Sequence, residues 1–594
     1  MRTAERVRAR LADAPRAAWL TLGGILAVAL GLRLWGVRQG LPFAYNSDEA
    51  DHFVPHAVAM FRDGTLNPHY FANPPGFTYV LHFAFGLWFG GGSGVVHAYR
   101  LHPDQLYTLA RVIAALLGTA GVWLLYATGA RLLGRAAGLL AAAVAAVAFL
   151  PVFYAHLALN DAPTLAPLTL SLLGTAGVLR GGRARDHVLA GVGLGLACAF
   201  KYTAGIVVLP YLAAVAVQYG GRGRDAIVPA LLGLSLAGGC ALLAFAVANP
   251  YALLDYHSFR HELAHQSSLS AESGGKLGAP RHGGLLYYLW SLTWGLGWVP
   301  AIAALAGAVL LCLKRRALAL VLVPAPILFL LFMGLQGRYF GRWLMPILPI
   351  LCLLAAHAGV CAVGALTGRG GRARRSGVRP LQVAVAALVA LLLIAQGAIY
   401  SVHSGMVLSR TDTRTIARRW LLANVPAGSP IVVEPISPDE WAHETLPGTS
   451  TASNPRRWNK YPSLVPRIGR SGALTTAPAA PVTIENYERT LAPALIAYYT
   501  EHGYCWVVSG STQEGRAFAD PAASPLAVAY YRALTRAGTV AFEASPYRGG
   551  AGPVAFNFDW SFDYYPLAYE RPGPFVTVYR LHGGRCGPPA GGSP

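Results

Sequence analysis

Between residue 17 and about residue 403 the chain is a succession of apolar runs, each about 16 to 27 residues long, parted by short Gly/Arg-rich breaks. After residue 404 the runs stop. Helices that cross a hydrocarbon layer of roughly 30 Å need that length, and in lipid only helices and closed barrels satisfy every backbone polar group. An α-helical polytopic membrane protein follows. The composition agrees, at 54% hydrophobic and only 13% charged residues.

The charge pattern orients the runs. Arg2, Arg6, Arg8, Arg10 and Arg16 precede the first, and further clusters are Arg131/Arg135, Arg180/Arg183/Arg185, Arg222/Arg224, Lys314/Arg315/Arg316 and Arg369/Arg372/Arg374/Arg375/Arg379. Each of these further clusters falls in a short inter-helix loop, where the positive-inside rule places it on the cytoplasmic face. The net charge of +21 therefore reports orientation and excludes nucleic acid as a partner. The expected spans are 18–37, 107–129, 136–155, 162–179, 187–201, 204–219, 227–249, 285–312, 317–334, 342–365 and 381–402, about 11 transmembrane helices. The N-terminus is then cytoplasmic, and residues 38–106, 156–161, 250–284, 335–341 and 403–594 lie outside. The apolar helix from Pro74 to Gly90 would spoil the alternation if it crossed, so it reads as interfacial or re-entrant. The first run has no small-x-small cleavage pattern before Arg33 and Trp35 and is expected to stay as an anchor.

Residues 1–403 thus form a transmembrane domain, and 404–594 a C-terminal soluble α/β domain. Thr413 to Asn424 is predicted as an amphipathic helix turning at Val425-Pro426-Ala427-Gly428-Ser429 into the strand from Pro430 to Glu434. Further strands are expected at Cys505–Ser509, Val540–Phe542 and Phe575–Tyr579, with a helix from Leu526 to Ala537 and a long irregular insertion from Pro435 to Pro481. Asp559, Asp563, Tyr564 and Tyr565 read as a solvated loop with its aromatics packed on the domain; sugar stacking is the less favoured alternative. Cys198, Cys240, Cys312, Cys352 and Cys361 sit in spans as small apolar residues, while Cys505 and Cys586, both beyond them, are candidates for a disulfide.

Asp48 and Glu49 stand side by side just past the first span, on the side the basic residues avoid. Adjacent carboxylates at a membrane surface are costly unless they handle a proton, a cation or a polar substrate. The plain alternative is a helix N-terminal pair stabilised by the dipole, with Ser47 capping.

Asp48-Glu49, the Asn73-Pro74-Pro75-Gly76-Phe77-Thr78-Tyr79 stretch, Arg111 followed by Arg131-Leu132-Leu133-Gly134, and Asn160-Asp161 occur here in one order. In that order and spacing the first 400 or so residues resemble the membrane glycosyltransferases of the C-type (GT-C) fold, among the protein O-mannosyltransferase and lipid A aminoarabinose transferase relatives. The tail from Asp412 to Ser429 is similar to tails on bacterial members. The resemblance implies an enzyme of a bacterial-type inner membrane, with a polyprenyl-phosphate-linked sugar as donor and a glycan, lipid or protein as acceptor. A lipid carrier makes a nucleotide-binding domain unnecessary, and no Gly-rich phosphate loop follows a strand in this chain.

Such a reaction needs a carboxylate to take the acceptor's proton and cations to receive the lipid phosphate. Asp48 is the candidate base, with Glu49 and Asp161 as further candidates; Asp161 has the alternative of capping the helix whose first turn holds Pro163. Lys201, Arg338 and Arg342, with Tyr339 between the two arginines, violate the positive-inside trend and are the expected phosphate ligands, the alternative being snorkelling to headgroups. His52, His56, Tyr202, His257 and His261 are candidates for acceptor or loop contacts. His257, His261 and His265 recur every four residues, so a divalent cation stays open as a cofactor. A transporter or a polyprenyl-lipid flippase without glycosyl transfer is the rival class, although a transporter normally shows an internal repeat, which this sequence lacks.

Overall fold

The computed structural model describes residues 16–271, 277, 283–367, 380–445, 455–461, 464–482, 487–557 and 565–587. Arg2 to Arg10, the Arg369–Arg379 cluster, and Asp559, Asp563 and Tyr564 lie outside these residues.

All eleven predicted runs are helical. Among the described residues eight helices are long and apolar enough to cross a membrane, and ten qualify if each of two bent pairs is one span. Nine of these ten are expected spans and the tenth is the bent pair Gly76–Leu101; the two expected spans that fall short are Leu165–Gly181 and Ala184–Phe200, each 17 residues and therefore about 25 Å long. These two pack closely against one another, and Ala184–Phe200 packs also against the helix Ile227–Ala248. A Cβ on Gly193 would lie 2.3 Å from the Ser171 nitrogen, and one on Gly191 would lie 2.2 Å from the Ala237 carbonyl, so small residues set both contacts.

The helix from Gly76 to Phe89 has 14 residues, about 21 Å, too short to span alone. It turns by 93° into Gly92–Leu101 through Gly90 and Gly91, whose φ values of +76° and +97° suit only glycine. The second bent pair is Arg135–Val147 and Phe149–His156, at 58°. Its break at Ala148 frees carbonyls inside the bundle. Arg33, fully buried on the first helix Arg16–Leu34, donates to the Ala146 and Ala145 carbonyls at 3.0 and 3.2 Å and so fills the break.

The C-terminal domain is built on a five-stranded sheet of β1 (Pro430–Val433), β2 (Asn459–Tyr461), β5 (Trp506–Gly510), β6 (Gly538–Ala544) and β7 (Val576–Leu581), in the order β2-β1-β5-β7-β6. The first three strands in that order are parallel and the last two antiparallel; β3 (Leu464–Val465) and β4 (Ala480–Pro481) form a separate ribbon. Period-two alternation separates two cores. Ile431, Val433, Val508 and Val578 face the helix Thr413–Asn424, whereas Val432, Val507, Tyr579 and Leu581 face a tyrosine-rich core with Tyr487, Tyr499, Tyr530 and Tyr531. Cys505 and Cys586 form a disulfide that pins the start of β5 to the turn after β7.

Phe43 belongs to the membrane domain by sequence, yet it is 2% exposed within the core under Thr413–Asn424. Two residues on, the Tyr45 hydroxyl hydrogen-bonds Thr415 at 2.8 Å and the Arg414 guanidinium lies 3.8 Å over the Tyr45 ring. The C-terminal domain is therefore docked onto the segment that leads into Asp48.

Behind this seam Glu434 is fully buried. It accepts hydrogen bonds from the Gly510 backbone N–H at 2.7 Å and the Tyr531 hydroxyl at 2.8 Å, but burial pushes its carboxyl up from 4.5 to about 8. Between those two values the folded chain keeps a proton that the unfolded chain has lost. Stability contributed by this group is thus complete below pH 4.5 and declines as pH rises to about 8. Glu434→Gln, which mimics the protonated acid, is expected to flatten the fall in the thermal unfolding temperature of the C-terminal domain across that window. A variant that kept the wild-type slope would show that Glu434 is not its source.

Candidate active site

The segment after the first helix enters a π-helical turn, Glu49–Phe53, before the helix Val54–Arg62. The turn starts on Asn46, whose side-chain oxygen accepts the Glu49 N–H at 3.1 Å and whose carbonyl accepts the Ala50 N–H at 2.9 Å. Asn46, not the expected Ser47, is the cap, because its longer side chain reaches the N–H three residues on. Adjacent residues on a helical turn point about 100° apart, so Asp48 and Glu49 leave it in different directions.

Glu49 points inward. It is 0% exposed and forms a two-pronged ion pair with Arg111, also 0% exposed, at 2.7 Å for both bonds. Its Oε1 also accepts the Ala158 N–H at 2.7 Å. Arg111 donates further to the carbonyls of Val37 and Gln39 at 2.9 and 2.8 Å. Glu49 was expected among residues that touch substrate; the structure instead seals it in a joint between the chain entering the site, the long helix Pro103–Leu132 and the turn that leads to Asp161. Arg111 is the residue that the sequence reading left without a role. A cation within a membrane-length run demands a partner, and that signal was available.

Asp48 points outward, about one-third exposed, and accepts a hydrogen bond from Arg342 Nη2 at 2.6 Å. His52 Nε2 stands 3.8 Å from its other oxygen. Arg342 also lies 4.6 Å over the Phe340 ring, which fixes the guanidinium plane. Asp161 pairs with Lys201, both nearly buried, and the Asn160 side-chain amide donates to the Phe200 carbonyl at 2.5 Å. The alternative of Asp161 as a helix cap does not describe this geometry; the Asn160 carbonyl accepts the Thr164 N–H instead, at 3.1 Å.

Two carboxylate–cation pairs thus occupy one end of the bundle, joined by the Glu49–Ala158 bond. Arg131 closes the same helix that holds Arg111, twenty residues or about 30 Å away, so the basic clusters sit one hydrocarbon thickness from the site.

A wall of rings flanks Asp48. His52 and His56 stack on Tyr70 with centroids 5.1 and 4.6 Å away, and His56 Nδ1 lies 3.0 Å from the Pro68 carbonyl. Burial lowers the His56 pKa and raises that of Asp51. Tyr202 donates to the Phe71 carbonyl at 3.0 Å, and Glu262 accepts the Ala72 N–H at 2.8 Å, so the helix Tyr256–Ala271 is strapped across residues 71–72. His257, His261 and His265 lie exposed on that helix, as their spacing predicts, and no group of three or more metal-ligating side chains occurs among the described residues. The strap continues to the arginines: the backbone N–H groups of Gly337 and Arg338 donate to the Ser270 carbonyl at 2.8 and 3.3 Å. Tyr339, expected at the phosphate, is 6% exposed and packs on Tyr287 and Tyr288 with centroids 5.5 and 6.1 Å away.

The polytopic bundle with its docked α/β domain has the GT-C fold of the solved structures that it resembles. The structure resembles the archaeal oligosaccharyltransferase AglB from Archaeoglobus fulgidus, solved with an inhibitory peptide and a dolichol-phosphate, at 14% identity and a TM-score of 0.50 over 89% of this chain and 73% of that one. ArnT from Cupriavidus metallidurans, solved with undecaprenyl phosphate, aligns at 14% identity and a TM-score of 0.44 over 95% of this chain and 98% of that one. In sequence, residues 104–260 match the model of the dolichyl-phosphate-mannose-protein mannosyltransferase family. No curated protein matches the sequence.

Proposed function

We propose that the chain is an inverting glycosyltransferase that moves a sugar from a polyprenyl-phosphate carrier to an acceptor hydroxyl at the outer face of a bacterial-type inner membrane, with its N-terminus cytoplasmic and its C-terminal domain outside. The observation that carries this reading is the Asp48–Arg342 pair, a solvent-reachable carboxylate held by a fixed guanidinium on a GT-C fold.

Asp48 takes the acceptor proton as the acceptor oxygen bonds to the anomeric carbon. The bond from that carbon to the phosphate oxygen breaks, and polyprenyl phosphate leaves with the electron pair. Arg342 and Arg338 stabilise the charge that develops there, and Lys201, oriented by Asp161, is the third cation in reach of this end of the bundle. Displacement in one step inverts the anomeric centre. A retaining double displacement needs a carboxylate nucleophile besides the base, and neither candidate suits: Glu49 is sealed under Arg111, and Asp161 is engaged by Lys201.

The test is reconstitution in proteoliposomes with synthetic polyprenyl-phosphate sugars and envelope lipid extract, with the product's anomeric configuration read by NMR. Transfer with inversion is expected; retention would overturn the single-displacement mechanism, and no transfer from any such donor would overturn the function. Mass spectrometry of envelope glycans from a strain lacking the protein should show one missing sugar. Arg338→Ala is expected to raise the donor KM about tenfold, the effect of one lost charge-assisted hydrogen bond. Unchanged donor dependence would remove Arg338 from the phosphate site.

A further inference from the structure

The C-terminal domain meets the membrane domain over a cavity of about 100 Å³. One water needs only about 10–15 Å³ of such space. Asn46 and Ser47, the two residues that precede Asp48, line it, as do Thr512 and Gln513 in the first turn of the helix Ser511–Ala519, and Tyr565 and Tyr569.

Gln513 is 1% exposed, and neither its amide oxygen nor its amide nitrogen has a hydrogen-bond partner among the described residues. A buried amide left unsatisfied on both atoms destabilises the fold unless something binds there. The chemistry around it narrows what that is. Among the described residues no carboxylate lines the cavity, and the one guanidinium that does, Arg414, is engaged by Asp412 at 2.7 Å, the Ile436 carbonyl at 3.0 Å and the Tyr45 ring at 3.8 Å. The rings of Tyr565 and Tyr569 lie 5.7 Å apart, and Tyr569 is 5.1 Å from Tyr547, so one side is aromatic. A neutral lining of amides and hydroxyls beside tyrosine rings suits a carbohydrate, whose hydroxyls both donate and accept and whose C–H faces lie on aromatic surfaces.

We propose that this cavity is the acceptor subsite and that it holds a neutral glycan unit, with the Gln513 amide hydrogen-bonding its hydroxyls and the rest of the acceptor directed past Ser47 to Asp48. Gln513 is then the specificity-determining residue that the C-terminal domain contributes. The assignment of the bound unit as an acceptor rests on the glycosyltransferase reading above.

Saturation-transfer NMR on the full chain in nanodiscs tests it, with methyl hexopyranosides as probes, a threonine-containing peptide as the comparison probe and undecaprenyl phosphate binding as the control. The glycosides are expected to bind, and Gln513→Leu to weaken them about tenfold, the loss of one or two hydrogen bonds to neutral groups. Thr512→Val provides a second, milder probe of the same wall; undecaprenyl phosphate binding should stay unchanged in both, and without ligand the unfolding temperature should not fall in Gln513→Leu, which removes an unsatisfied buried amide. Glycoside binding that survives in Gln513→Leu, or a signal from the peptide and not the glycosides, would overturn the proposal. The two readings separate cleanly. Wild-type protein that binds glycosides through Gln513 but transfers no sugar supports the glycan site and refutes the enzyme, whereas intact transfer with glycoside binding indifferent to Gln513 refutes only the subsite.

Discussion

Asp48→Asn is expected to lower sugar transfer by a factor of about 10² to 10⁴, the range that a positioned general base supplies, while the protein folds and binds polyprenyl phosphate as before. Asparagine keeps the size and still offers Arg342 an oxygen, so the guanidinium now 2.6 Å from Asp48 keeps a partner. What it cannot do is take a proton. Asp48 is about one-third exposed, and Arg342, at 15%, keeps the asparagine oxygen and the Phe340 ring as partners, so the unfolding temperature should move little. Retained activity in a correctly folded Asp48→Asn protein would remove Asp48 as the base. Loss of activity together with loss of lipid binding would point instead to Arg342 having been released from its place. Measuring kcat and the donor KM separately distinguishes the two, since a missing base lowers kcat and a displaced Arg342 raises KM.

What the sequence makes legible is what depends on neighbours along the chain. The apolar runs all became helices because run length and backbone satisfaction in lipid are local requirements, and strands of the C-terminal domain declared themselves as short β-branched runs, Ile431-Val432-Val433 and Val507-Val508. The Pro74–Gly90 helix is too short to cross, and its Gly90-Gly91 end is visible as a break. The partners across the bundle are another matter. Whether Glu49 or Asp48 would point into solvent depends on partners far along the chain: Arg111 stands 62 positions from Glu49, and Arg342 stands 294 from Asp48. The same holds for Lys201 and Asp161, each of which was visible as an exception to its surroundings but whose mutual pairing was not. Phe43 buried in the C-terminal domain, and Gln513 facing the residues before Asp48, result from the docking of two domains, which no local pattern encodes.

Glu49→Gln should behave unlike Asp48→Asn although the residues are adjacent. Glu49 accepts three hydrogen bonds at 2.7 Å, two from Arg111 and one from Ala158, with no solvent contact. Glutamine replaces one accepting oxygen by a donor facing the guanidinium and leaves the Arg111 charge buried without its counter-charge. Breaking a buried pair from one side costs about 3–5 kcal/mol, so a markedly lowered unfolding temperature is expected, with activity lost because both the residue-37 to 49 segment and the turn leading to Asp161 lose their common anchor. Arg111→Lys should be nearly as harmful: one ammonium cannot serve both carboxylate oxygens and the Val37 and Gln39 carbonyls. Replacing both partners by leucine removes the stranded charge and should restore part of the stability. It should not restore transfer, since the Val37 and Gln39 carbonyls and the Ala158 N–H would still lack partners and Asp48 would no longer be held. Thermal unfolding and transfer assays on the two single variants and the double variant decide the matter. Wild-type stability in Glu49→Gln, or activity recovered in the double leucine variant, would show that the pair does not position the site.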